Sequence, residues 1–170
     1  MSADVADLLD RDALRTLVSR YAHRVDERDV PGIVACFTPD THVEFNGGAQ
    51  VVDGQVDLAR FFESAFQAGV LGEHSTSTHL LTDVLVTLAG DVAHLETLAI
   101  ACLAGGDSDS VVLRGLRYSD RCVRLGEDWL IDERVHRSLW QCEAPGGPLP
   151  ASAVPGSPVA ERSVHPGIKG

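Results

Sequence analysis

The stretch Arg20-Tyr21-Ala22-His23-Arg24-Val25-Asp26-Glu27-Arg28-Asp29 crowds ionisable side chains onto the end of an apolar helical pattern. A carboxylate at the edge of a buried helix face can orient an imidazole or a hydroxyl, and so serve general acid/base chemistry. Leu14, Leu17, Val18, Tyr21 and Val25 recur at three- and four-residue steps, so the spacing predicts a helix over Val5 to Arg28 with that stripe buried. At about 100° per residue, Asp26 falls near the edge of the stripe beside Ala22, and His23 falls opposite, toward solvent. Asp29 lies angularly closer to the stripe, so helix geometry leaves both carboxylates open. Asp29 also precedes Val30-Pro31-Gly32, where it suits the N-cap of a second short helix ending near Phe37. Asp26 has no such structural duty.

The elements that must position this cluster follow in order. Thr38-Pro39-Asp40 signals a turn, and Thr41 to Phe45 has the β-branched and aromatic character of a short strand. Asn46-Gly47-Gly48 turns it into Ala49 to Val52, and Asp53-Gly54 breaks that strand. Leu58, Phe61, Phe62, Ala65 and Phe66 restore helical spacing over Val56 to Ala68, closed by Gly69 and Gly72. Four long strands are then expected at Ser75 to Leu88, Val92 to Ala104, Val111 to Leu125 and Trp129 to Cys142, joined by Gly-containing turns as an antiparallel meander. Leu81 and Leu85 are read onto one face of the first long strand, and Leu80, Val84 and Val86 onto the other. A sheet apolar on both sides needs two covers: the helices on one, and on the other a second subunit in a dimer or trimer.

Composition narrows the function classes. The 170-residue chain is 44% hydrophobic, enough for one compact domain over residues 1–143. Residues 144–170 hold six of the eight prolines and are expected to form an irregular tail. A net charge of -11 argues against nucleic-acid or anionic-membrane partners, because phosphate binding draws on Lys and Arg. The N-terminal stretch is acidic and no apolar run reaches the ~20 residues of a membrane span, so a cytoplasmic location is expected. Cys36, Cys102, Cys122 and Cys142 are widely spaced, which points to reduced side chains rather than a zinc ribbon or redox motif. His94-x-Glu96 does not make a metal signature, and no phosphate-binding Gly loop stands out. Arg114, Arg117, Arg121, Arg134 and Arg137 lie on strands near Asp120, Asp132 and Glu133, where cross-strand ion pairs account for them.

Three stretches carry a family resemblance: Tyr21 to Asp29, Thr78-His79-Leu80-Leu81-Thr82-Asp83, and Arg117-Tyr118-Ser119-Asp120-Arg121-Cys122-Val123-Arg124 followed by Trp129. With the element order they resemble the SnoaL-like branch of the nuclear transport factor 2-like superfamily. That branch includes scytalone dehydratase, bile-acid 7α-dehydratase and hexachlorocyclohexane dehydrochlorinase. The resemblance implies an α+β fold, a cone-shaped curved mixed or antiparallel sheet with helices packed on its concave side. It also implies an acid/base pair of an aspartate near the end of the first helix and a histidine on the first long strand. By residue matching these are Asp26 and His79. Tyr21, at its spacing from Asp26, is then either pocket wall or acid. Tyr118, Glu96, Arg137 and His136 are candidate substrate-binding groups on later strands, with Phe45 and Phe62 as apolar wall.

In such a pair the carboxylate holds one ring nitrogen and fixes the imidazole tautomer, which leaves the other nitrogen free to remove a proton. The expected function is that of a lyase or isomerase, dehydratase-like, acting without cofactor or metal on a small apolar cyclic molecule. Two alternatives stay open. One is a polyketide-type cyclase using the same pocket; the other is a non-catalytic ligand carrier or a structural subunit of a dioxygenase-like assembly.

Overall fold

The computed structural model of the protein describes residues 5–68, 76–104 and 110–146. Helix α1 (Val5–Asp26) buries Leu14, Leu17, Val18, Tyr21, Ala22 and Val25, the stripe that the spacing picks out. Arg28 then takes a left-handed backbone (φ +58°), and the Asp29 N–H returns to the Arg24 carbonyl at 2.9 Å, closing the helix end. Helix α2 (Val30–Val34) is a single turn, shorter than expected. Its cap is Asp29, whose Oδ1 accepts from the Gly32 N–H at 3.0 Å. A Cβ on Gly32 would lie 2.3 Å from Asp29 Oδ2, so the cap requires glycine there. One of the two carboxylates left open by helix geometry therefore has a structural role.

Strands β1 (Phe37–Phe45) and β2 (Gln50–Asp53), helix α3 (Gly54–Gln67), and strands β3 (Thr76–Ala89), β4 (Val92–Ala104), β5 (Ser110–Leu125) and β6 (Asp128–Pro145) complete the α+β architecture. The sheet order is β2-β1-β6-β5-β4-β3. Every pairing is antiparallel except β1 with β6, which is parallel. The sheet curves without closing, and α1 and α3 pack into its concave side. There Leu14, Val18, Leu58 and Phe62 meet Val43, Leu95, Leu116 and Ile131 in one buried cluster.

Two local irregularities depart from the sequence reading. Thr38-Pro39-Asp40 is not a turn before the strand but a bulge inside β1, where register with β6 shifts between Phe37 and His42. Proline has no N–H to give the ladder, so it sits where pairing is interrupted. Thr38 Oγ1 and Thr41 Oγ1 span the gap by donating to the Asp132 carboxylate (3.1 Å) and carbonyl (2.9 Å). The second bulge lies in β3 between Leu81 and Asp83. One extra residue reverses the inside-outside phase. Leu81 therefore faces inward with Val84 and Val86, and Leu85 joins Leu80 on the outer face, correcting the assignment of faces along this strand. Strand β6 also runs past Cys142 to Pro145, taking up the first residues of the expected tail. Residues 147–170 of that tail, and Gly69 and Gly72, lie outside the described residues. Among the described residues no helix is long and apolar enough to cross a membrane.

Candidate active site

Asp26 sits in the last turn of α1, where its carboxylate reaches β3. Its Oδ2 accepts the backbone N–H of His79 at 2.8 Å, and its Oδ1 lies 2.7 Å from both His79 Nδ1 and the Ser77 hydroxyl. Burial by itself would raise the carboxyl pKa, but the hydrogen bonds from His79 and Ser77 outweigh it and the pKa is held low. An ionised carboxylate can only accept, so Nδ1 must carry the ring proton. Nε2 is left as the free basic nitrogen of an imidazole that is 9% exposed. Ser77 is a partner the sequence analysis did not single out. Its signal was parity, since it lies two residues before His79 on the same strand face.

His79 opens onto a cavity of about 160 Å³ on the concave face. On β4 the small Ala101 faces inward beside the cavity and leaves room there, with Leu103 lining it further along the strand. His79, Ala101 and Arg114 pair in one row across β3, β4 and β5. The imidazole and the guanidinium thus flank a small residue from strands two apart, roughly 10 Å at the backbone. Phe45, Phe62, Val25 and Leu116 form much of the apolar wall, and Tyr21, Tyr118, His136 and Ser138 complete the polar one.

His136 is distinctive. Its Nδ1 is buried and has no hydrogen-bond partner among the described residues. Burial, reinforced by Arg134, His79 and Arg114, pushes its pKa down to about 4. It is therefore a neutral imidazole at pH 7. Its stability contribution follows from that shift. The unfolded chain takes up a proton as pH falls through about 6.5, while the folded protein resists until about 4, so stability is full above the first value and drops between the two. This group is expected to remove roughly 2 kcal/mol of stability between pH 7 and pH 5. Urea unfolding of wild type and His136→Gln at both pH values checks this, because the variant should lose much less over the same interval.

Beneath the cavity floor, Arg134 and Asp120 form a buried bidentate pair at 2.7 and 2.6 Å. The Arg134 guanidinium lies 4.1 Å from the Tyr21 ring centroid and 4.6 Å from that of Tyr118, with the Phe37 ring at 5.5 Å. Both tyrosines are buried, which raises their pKa values, with Arg134 partly opposing. They stay protonated at neutral pH. The expectation of cross-strand ion pairs on β5 and β6 holds for Arg134 with Asp120 and for Arg121 with Asp132.

Of the residues nominated from sequence, Asp26, His79, Tyr21, Tyr118, His136, Phe45 and Phe62 converge here. Glu96 and Arg137 do not. Glu96 alternates with the inward Leu95 and Thr97, and Arg137 alternates with the inward His136, so strand parity puts both on the outer face of the sheet. There they line a separate groove with Asp83, Leu98 and Arg117. Arg114 and Ser138 take their places as polar cavity residues. Arg114 shares parity with Leu116 and Tyr118 and was legible on that ground. Ser138 shares parity with His136, but the β5–β6 register slips just beyond it, between Gly115 and Leu116. Among the described residues, no group of three or more His, Cys, Asp or Glu side chains could hold a metal ion.

Comparison with known proteins agrees with this architecture. An uncharacterized protein of Mycobacterium tuberculosis is 29% identical over 140 residues, covering 81% of this chain and 90% of its own. A hexachlorocyclohexane dehydrochlorinase superposes with a TM-score of 0.73 at 14% identity, covering 89% of this chain and 100% of the other. A candidate scytalone dehydratase from Novosphingobium aromaticivorans superposes with a TM-score of 0.71 at 14% identity, covering 84% and 95%. These two structural likenesses show a shared fold. The SnoaL-like domain family matches residues 6–135, the span that contains α1, the sheet and the Asp26–His79 pair, and the chain belongs to that family.

Proposed function

We propose that the protein is an acid/base enzyme of lyase or isomerase type, working without a cofactor on a small, mostly apolar cyclic molecule. The observation that carries this reading is the Asp26–His79 pair, joined by two hydrogen bonds and steadied by a third from Ser77 to Asp26, at the wall of a largely apolar cavity. Nε2 of His79 takes a proton from a carbon beside a carbonyl or leaving group. The C–H electron pair forms a carbon–carbon double bond. It either expels a neighbouring hydroxide or halide or moves charge onto the carbonyl oxygen as an enolate. Asp26 stabilises the imidazolium so formed. Arg114, across Ala101 from the base, and neutral His136 are placed to meet the developing oxyanion or the departing group. Tyr21 and Tyr118, kept protonated by burial, can donate hydrogen bonds and shape the wall.

The reading is tested with scytalone and hexachlorocyclohexane, the compounds in the names of the two structural relatives, together with simple cyclic ketones in D₂O. Elimination, or deuterium entering at the carbon next to the carbonyl, is expected with wild type and not with His79→Gln. Turnover that persists unchanged in His79→Gln would sink the mechanism.

A further inference from the structure

We infer that the cavity beside His79 takes a substrate with a single ring that carries a carboxylate, and that Arg114 holds this carboxylate. The inference rests on the acid/base reading of the same cavity. It narrows Arg114 from a group that meets developing charge to one that binds a charge already present.

The balance of charge around the cavity carries it. The chain has a net charge of -11, yet among the described residues no Asp or Glu lines this cavity, and Arg114 is the one Arg or Lys that does. Asp26 lies behind His79, its oxygens occupied by the His79 N–H, the imidazole and the Ser77 hydroxyl. Arg134, under the floor, is neutralised by Asp120. Arg114 has no such counter-ion: its Nε donates to the neutral Gln141 Oε1 at 2.8 Å, and among the described residues it forms no ion pair. That bond fixes one edge of the guanidinium and leaves the two terminal nitrogens, a pair that can hold both oxygens of a carboxylate side by side. The neighbouring polar groups do not share the task. Ser138 donates its proton to Asn46 Oδ1 at 3.1 Å and so presents only lone pairs, and His136 is neutral at pH 7. Recognition of an anion by charge falls to Arg114 as long as His79 is the neutral base that the chemistry requires.

Volume sets the body of the ligand. The cavity measures about 160 Å³, and a dry apolar cavity of about 150 Å³ accommodates one benzene ring. Phe45, Phe62, Leu116 and Ala101 give such a ring its apolar surroundings. Because His79 and Arg114 flank Ala101 in one row, a ring lying over Ala101 with its carboxylate on Arg114 presents its far side to His79 Nε2. A second fused ring exceeds the space.

Isothermal titration of the full chain with benzoate, benzamide and 2-naphthoate tests this without requiring turnover. Benzoate is expected to bind wild type. Benzamide, of the same shape without the charge, should bind about tenfold or more weakly, because a charge-assisted bidentate contact is lost. 2-Naphthoate should also bind more weakly than benzoate. Arg114→Gln should remove the preference for benzoate over benzamide, and Arg114→Lys, which keeps the charge but not the fork, should restore part of it. Circular dichroism checks that the variants are folded, and the benzoate–benzamide comparison on wild type needs no variant. His79→Gln should bind benzoate as wild type does, which separates this inference from the mechanism. A benzoate preference without His79-dependent turnover of any compound would uphold the carboxylate site and overturn only the mechanism. Equal affinity for benzoate and benzamide, no binding of benzoate, a preference that survives Arg114→Gln, or tighter binding of 2-naphthoate would each overturn the inference, whatever the D₂O exchange assay shows.

Discussion

Replacement of His79 by Gln is expected to lower turnover by about 10² to 10⁴-fold, the range over which a positioned general base acts. Asp26→Asn should come close to it, for a reason visible in the hydrogen bonds. The backbone N–H of His79 points at Oδ2 and demands an acceptor there. An asparagine satisfies it with its carbonyl oxygen, which puts the NH₂ where Oδ1 now lies, against the ring Nδ1. The amide then donates to Nδ1 and drives the ring proton onto Nε2, the nitrogen that must accept from substrate. Ser77 can reverse its own bond and accept from the amide, so folding should suffer little. Steady-state kinetics on whichever substrate shows turnover, paired with a melting curve for each variant, checks both halves. Wild-type turnover in Asp26→Asn would show that the carboxylate does not set the tautomer.

Arg134→Met is expected to be the most damaging single change to stability, about 3 to 5 kcal/mol, because it strands Asp120 as a buried charge without a counter-ion. Both side chains are fully buried. Burial works against the charged guanidinium, yet attraction to Asp120 and the bidentate hydrogen bonds hold it protonated. The same guanidinium packs on the rings of Tyr21, Tyr118 and Phe37, so its loss also loosens the cavity floor. Guanidinium chloride unfolding of Arg134→Met and of Arg134→Met/Asp120→Leu measures this. The double variant should regain much of the lost stability, since two apolar side chains need no partner. Equal instability in both would mean that ring stacking, not the stranded carboxylate, dominates.

The family resemblance and the spacing of apolar residues led to the right fold, and the reasons are local. The stripe from Leu14 to Val25 repeats at helical steps, and the glycine-separated strands after residue 75 are long enough to read by alternation alone. Asp29 was recognisable as a cap because its partner, Gly32, is three residues away. Errors appeared where one residue changes phase. Thr82 is an extra residue in β3, and nothing in its type announces that Leu85 will face outward. Glu96 and Arg137 entered the cavity list through the family resemblance, and single-residue parity turns both away from it.

What the sequence determined by itself is the helix that carries Asp26, the strands that carry His79 and His136, and the caps and turns that end them, because each follows from residues within a few positions of one another. What only the tertiary structure decided is which side chains meet. Asp26 finds His79 across 53 positions, Ala101 leaves space between His79 and Arg114, and Arg134 closes on Asp120 under two tyrosines. Those meetings depend on register and bulges, which sum small phase choices over whole strands, and no local pattern fixes that sum.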